Sequence, residues 1–241
     1  MTTPALGTTS QISNRLLAAL PADELARLRS HLDSVRIDQR DVLFDVEQRI
    51  PYVYFPEQGV VSLVSIFDDG GTIEVGTVGS EGIAGLPVFL GEESSTVRAV
   101  IQIPGTATRM EAELFVRLAA APGVLHHLLL RYTQAFMTQV AQTAACNAAH
   151  LVEQRCARWL LMTHDRVGDE EFPLTHEFLA FMLGVRRAGV TVAMQALQEA
   201  GLIHYTRGHV GIVDREGLER ASCECYRVVR AHFERLLPKA A

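Results

Sequence analysis

Between positions 35 and about 110, apolar residues come in short runs or alternate with polar ones. The segments are DVLFDV, YVYFPEQG, VVSLVSIF, TIEVGTV, STVRAVIQI and TATRM. Alternation at period two is the mark of a strand with one buried face. DDGG at Asp68–Gly71 separates two such runs and reads as a hairpin turn. Glycines at 59, 70, 71, 76, 79, 82, 85, 91 and 105 fit tight corners between strands. Short strands at ~8–12-residue spacing predict a sandwich or barrel.

Elsewhere the apolar period is helical. Leu16, Leu17, Leu20, Leu25, Leu28 and Leu32 follow it, and Pro21 divides them, opening PADELARL as a new helix with acids in its first turn. Residues 1–12, rich in Thr, Ser, Gly and Ala, are expected to be a disordered tail. EAELFVRLAAA (Glu111–Ala121) predicts a short helix that Pro122 and Gly123 break. The longest helical stretch follows, Gly123 to Asn147, with Arg131 as its one charged residue. Its ~25 residues correspond to roughly 37 Å. Leu125, Leu129, Tyr132, Phe136, Val140 and Thr143 are spaced close to a heptad seam. A helix this long outruns a small core, so these six are expected to form a homodimer seam. His150–Arg166 predicts a further amphipathic helix, followed by a polar, acidic loop at Val167–Phe172.

Leu174–Ile203, LTHEFLAFMLGVRRAGVTVAMQALQEAGLI, carries the most information. Thr175 is a good N-cap for HEFLAFML. Gly184 sits where the chain must turn sharply, and a second helix follows with Val190, Ala193, Met194 and Leu197 inward. Two short helices about a glycine turn make a helix-turn-helix. The opposite face of the second helix carries Arg186, Arg187, Ala188, Thr191, Val192 and Gln195, where a recognition helix presents its side chains to the major groove. Arg187 has the reach for guanine O6 and N7, and Val192 for a thymine methyl. Thr175 can hold a phosphate at the first helix's N-terminus. Leu202–Tyr205 and Val210–Val213 flank TRGH and read as a wing, with Arg207 and His209 at its tip.

Taken whole, the net charge of −6 opposes a nucleic-acid partner. Split at position 150, however, the first part carries all of it and the remainder is neutral. Over Leu174–Val213 three arginines face two glutamates, and three histidines can add positive charge. All basic residues but Lys239 are arginine, which suits bidentate contacts to phosphate or guanine as well as a GC-rich genome. No apolar run approaches the ~20 residues that span a bilayer, and no secretory start is evident. A cytoplasmic protein without a membrane partner is therefore expected. The four cysteines, Cys146, Cys156, Cys223 and Cys225, form no CxxC pair. Cys223 and Cys225 make a lone C-x-C, so reduced thiols and no metal are expected; the sharper alternative is a redox or metal sensor at that pair. No catalytic residues and no cofactor are expected: there is no Ser-His-Asp order in context and no phosphate-cradling glycine loop before a helix.

With these residues in view, the chain resembles the Crp/Fnr (cAMP receptor protein / fumarate-nitrate reductase regulator) family of bacterial transcription factors. The strongest match is T175-x-E177-x-L179-A180-x-x-L183-G184-V185-x-R187-x-x-V190-x-x-A193-x-x-x-L197-x-x-x-G201-L202-I203. The resemblance implies an α+β chain with four parts: the tail, a cyclic-nucleotide-binding-like β-roll (jelly roll) sensor at 13–121, a dimerisation helix and hinge at 122–149, and a winged helix-turn-helix at 150–241. It implies a homodimer on a palindromic operator, with RNA polymerase as a candidate further partner. Arg187 matches the family's base-reading arginine. Ala188 replaces the family's common glutamate, and Val192 replaces a second basic reader, so operator preference should differ.

The sensor departs from the cAMP-binding pattern. That pattern has a Gly-Glu-Leu turn whose glutamate takes the ribose, and an Arg-Ser pair for the phosphate. Here Gly85 replaces the glutamate before Leu86, Ser95 and Thr96 fall near the arginine position, and Arg98 comes about three residues late. These five are the candidate effector residues, for an unknown small molecule or none; cAMP is not expected. No cysteine precedes position 146, so the N-terminal cluster of the iron–sulfur members is absent. His126 and His127, near the long helix, read as surface or interface residues, with haem ligation as the alternative. The expected function is a sequence-specific DNA-binding regulator. The alternative is a ligand-binding sensor whose helix-turn-helix serves protein contacts, told apart by whether it binds its own promoter region in a salt-dependent way.

Overall fold

A computed structural model describes residues 12–168 and 171–237. The expected tail therefore lies, apart from Ile12, outside the described residues, as do Asp169 and Glu170 of the acidic loop. Contacts group the described chain into two compact units: 12–63, 77–136 and 233–237 in one, and 64–76, 137–168 and 171–232 in the other. This division differs from the sequence boundaries at 121 and 149.

In the first unit, α1 (Arg15–Ala18) and α2 (Ala22–Arg29) precede the sheet. Asn14 is fully buried and caps α1: its Oδ1 accepts from Leu16 N and Leu17 N, and its Nδ2 donates to Pro56 O and Gly82 O at 2.9 Å each. The strands are β1 (Asp33–Ile37), β2 (Val42–Phe44), β3 (Tyr52–Ile66), β4 (Thr72–Val78) and β5 (Arg98–Glu111), with the short α3 (Leu86–Phe89) between the last two. Their order is β1-β5-β3-β4, with β2 also on β5. The runs read as separate strands thus merge into two strands of 15 and 14 residues. Glycine makes this possible. A Cβ on Gly59, at φ +88°, would lie 2.5 Å from Ile103 O, and one on Gly105 2.3 Å from Gln58 O. The two long strands approach closely there and bend without ending. The expected turn closes between β3 and β4, with Phe67 N donating to Gly71 O at 2.8 Å.

α4 (Ala112–Ala119) and the 26-residue α5 (Val124–Ala149) follow β5. Tyr132, fully buried on α5, lies over Gly82, where a Cβ would come within 2.4 Å of the phenol oxygen.

The second unit contains the rest of α5, then α6 (Val152–Val167), β6 (Glu171–Pro173), α7 (His176–Leu183), α8 (Arg187–Glu199), β7 (Ile203–Thr206), β8 (His209–Ile212), α9 (Arg215–Ala221) and most of α10 (Glu224–Leu236). The strands form a sheet in the order β6-β8-β7. The tip of the β3–β4 hairpin belongs to this unit. Trp159 Nε1 on α6 donates to the buried Glu74 Oε1 at 3.1 Å, and Ile73 packs against Gly184. Arg215 bridges α9 to α6 and α10, pairing with Asp165 and donating to the Tyr226 hydroxyl at 2.7 Å; that hydroxyl donates on to Asp165 Oδ2 at 2.9 Å. Among the described residues no single helix is long and apolar enough to cross a membrane.

Candidate nucleic-acid interface

Thr175 caps α7, its Oγ1 accepting from Phe178 N at 3.1 Å. Gly184 ends the helix at φ +61°, where Val185 N returns to Ala180 O at 3.1 Å. That left-handed closure is cheap only for glycine, and it redirects the chain into α8. Val190, Ala193, Met194 and Leu197 of α8 are buried, as the sequence predicts. Arg186, Arg187, Ala188, Val192 and Gln195 are exposed on the opposite face, and Thr191 is half-buried. The Thr191 hydroxyl is already engaged, donating to Arg187 O and meeting His176 Nδ1 at 3.0 Å. Beside the helix, β7 and β8 pair with Thr206 opposite His209, leaving Arg207 and Gly208 as a two-residue turn. Both have positive φ, +50° and +81°, the requirement of a type I′ hairpin turn. Arg207 and His209 stand exposed at the tip.

His176 is the participant that residue type alone misreads. Its ring stacks on Tyr205 at 4.6 Å, and burial followed by the charge of Arg187 holds its pKa below the ordinary 6.5. It packs the first helix against the wing, and the lowering disfavours the positive charge that the sequence allowed it. His126 and His127 each have Nδ1 at 2.8 Å from a backbone carbonyl, Ala119 O and Gly123 O.

Of the expected effector residues, Arg98 is already engaged by a carboxylate. Arg98 makes a bidentate pair with Asp45, at 2.9 and 2.8 Å, which holds the Asp45 carboxyl below its usual range. Ser95 is buried, its Oγ accepting from Val97 N, while Thr96 is exposed. Gly85 packs against Val53 and Leu86 is buried. A cavity of about 310 Å³ in the first unit is lined by Arg49, Val88, Glu93, Glu113, Val116 and Arg117 among others, and by none of those five residues.

The seam expected on α5 also needs correction. Leu125, Leu129 and Tyr132 are 4%, 0% and 0% exposed within the single chain, so they are not available to a partner. Phe136, Val140 and Thr143 are half-buried. The exposed stripe is His127, Leu130, Gln134, Met137, Ala141, Ala144 and Ala148, with Leu130 at 48% and Met137 at 61%. It repeats at alternating steps of three and four, a regular heptad pattern.

The fold also gathers Cys146, His150, Cys223 and Cys225, whose ligand atoms all lie within 4.8 Å of one another. The hydrogen bond between Cys146 and Cys223 holds Cys223 below the usual thiol range and, with burial, Cys146 above it. The spacing Cys223-x-Cys225 alone gave no sign of this set, because its other half lies on α5.

Residues 154–221 match the family model of the Crp-like helix-turn-helix domain. No curated protein matches the chain. Among solved structures, FixK2 from Bradyrhizobium japonicum is 15% identical, with 80% of this chain and 98% of that one covered and a TM-score of 0.69. A CRP-family transcriptional regulator from Thermus thermophilus, TTHB099, is 21% identical over 78% and 96%, with a TM-score of 0.66. The c-di-GMP-responsive global regulator CLP from Xanthomonas campestris is 18% identical over 80% and 99%, with a TM-score of 0.64. These likenesses establish a shared fold. Residues 154–221 are thus similar to Crp-like helix-turn-helix domains, and the chain shares the fold of these solved structures.

Proposed function

We propose that the chain is a homodimeric, sequence-specific DNA-binding transcription regulator that reads a palindromic operator and does not respond to cAMP. The observation that carries this is the two-faced α8. Its apolar side is sealed into a Crp-like domain, while Arg186, Arg187, Ala188, Val192 and Gln195 stand in solvent beside an exposed wing arginine. Arg187 reads guanine, Val192 meets a thymine methyl, and the wing and Thr175 hold the backbone. The exposed α5 stripe supports a dimer whose two recognition helices lie ~34 Å apart, one DNA turn. The Arg98–Asp45 pair and the missing carboxylate at Gly85 support the absence of a cAMP response.

A gel-shift titration of the full chain on its own promoter region tests the reading. Arg187→Ala should weaken specific binding by ~1–3 kcal/mol, and adding cAMP should leave the affinity unchanged. Equal affinity for promoter and scrambled DNA, or an unaffected Arg187→Ala variant, rejects it.

A further inference from the structure

We propose that Cys146, His150, Cys223 and Cys225 bind a single tetrahedral metal ion of the zinc class, joining the end of α5 to the start of α10. The site is distinct from the DNA-reading face, and all four residues belong to the second unit.

Cys146 and His150 stand four positions apart at the end of α5, and Cys223 and Cys225 flank the first residue of α10. Cys146 Sγ lies 3.4 Å from Cys223 Sγ, and Cys225 Sγ lies 3.7 Å from His150 Nδ1. Zinc–thiolate bonds of about 2.3 Å at tetrahedral angles set sulfur atoms about 3.8 Å apart. With all four donors within 4.8 Å of one another, they stand near the corners that a single ion requires. An iron–sulfur cluster is a poor fit, since each thiolate would bind a different iron and the sulfurs would have to spread.

The surroundings point the same way. His150 presents Nδ1 to the sulfurs, while its Nε2 lies 3.3 Å from Glu224 Oε2. A carboxylate on the far nitrogen of a metal-binding imidazole fixes its tautomer and orientation. Arg155 and Arg158 are each only 7% exposed, and neither has a carboxylate partner among the described residues. The Nε of each is buried without a hydrogen bond. Arg158 lies near enough for its charge to act on Cys146 and Cys225, and Arg155 on Cys146 and Cys223. Two buried cations without carboxylates call for an anionic neighbour. Three thiolates and one divalent ion form a centre of net charge −1. On binding, each protonated thiol releases its proton to solvent, and no redox change is needed.

Cobalt(II) is the probe. The full-length chain is purified, stripped with a chelator under reducing conditions and titrated with Co²⁺. The expected result is one equivalent bound, with sulfur-to-metal charge-transfer absorption and tetrahedral d–d bands that zinc abolishes. Cys225→Ser and His150→Ala should each weaken binding about tenfold or more. His150→Cys should restore it, and Cys156→Ser, outside the set, should leave it unchanged. If Cys225→Ser fails to fold, the His150→Ala and His150→Cys pair decides. Absence of the thiolate band, a band unchanged in His150→Ala, iron–sulfur absorption in the isolated protein, or a mass loss of two hydrogens from a Cys146–Cys223 disulfide overturns the proposal. No readout involves DNA, so the result is independent of the regulator reading.

Discussion

Residue type and local environment part company most clearly at histidine. His176 lies between Tyr205 and Thr191 with Arg187 nearby, and its pKa falls below the ordinary 6.5 because burial and then a neighbouring cation disfavour the charged ring. His164, on α6 beside Arg215, is lowered for the same two reasons. A group lowered on folding binds its proton first in the unfolded chain. Stability is therefore complete above about pH 6.5 and declines as pH falls through that value toward the folded pKa, then levels. Denaturant titrations between about pH 7.5 and about 5.5 should show this loss, and His176→Asn should remove part of the slope. A slope unchanged in that variant assigns the effect elsewhere. Sequence could name His176 as a member of the motif, but its protonation depends on the wing folding over it. Arg98 teaches the same lesson: its position suggested an anion, and Asp45, more than fifty residues earlier, already occupies it.

At the scale of elements, the motif from Thr175 to Ile203 was legible nearly residue by residue. Its cap, glycine turn and buried stripe are all local, set by i to i+4 spacing and one positive φ. The wing was legible for the same reason. The strands of the β-roll were recognised as strands, but their merging was not. Whether Gly59 and Gly105 end a strand or let it bend depends on the carbonyls opposite them, which no single segment contains. α5 shows a different limit. The helix is nearly uncharged, so heptad spacing can be found on more than one face, and only the burial of Leu125, Leu129 and Tyr132 shows which face is left exposed. Met137, near the middle of that face, is the place to test it. Met137→Glu should shift the chain to monomer in analytical ultracentrifugation without lowering the melting temperature of the monomeric fold. A dimer that survives the substitution moves the seam elsewhere. α9 and α10 had no prediction at all, and with them the partners of Cys146 went unseen.

For the whole molecule, net charge is a poor guide to what it binds, because the excess of acids lies before position 151 and the reading domain is close to neutral. The ionic share of DNA binding should accordingly be modest. If Arg186, Arg187 and Arg207 of each protomer carry the phosphate and groove contacts, six cations act per dimer, and log K should fall against log salt with a slope no steeper than about −5. A much steeper slope in salt-dependent gel shifts means that other basic residues take part. The tip of the β3–β4 hairpin has a consequence for how the domains can be separated. A fragment begun near position 137 would lose Glu74 and Ile73, leaving the Trp159 indole N–H without its acceptor and the turn at Gly184 without its apolar cover. The reading head is thus not a detachable cassette: part of its wall is encoded far upstream, within the ribbon of the β-roll. Chimeras that graft it onto another β-roll must carry that ribbon along.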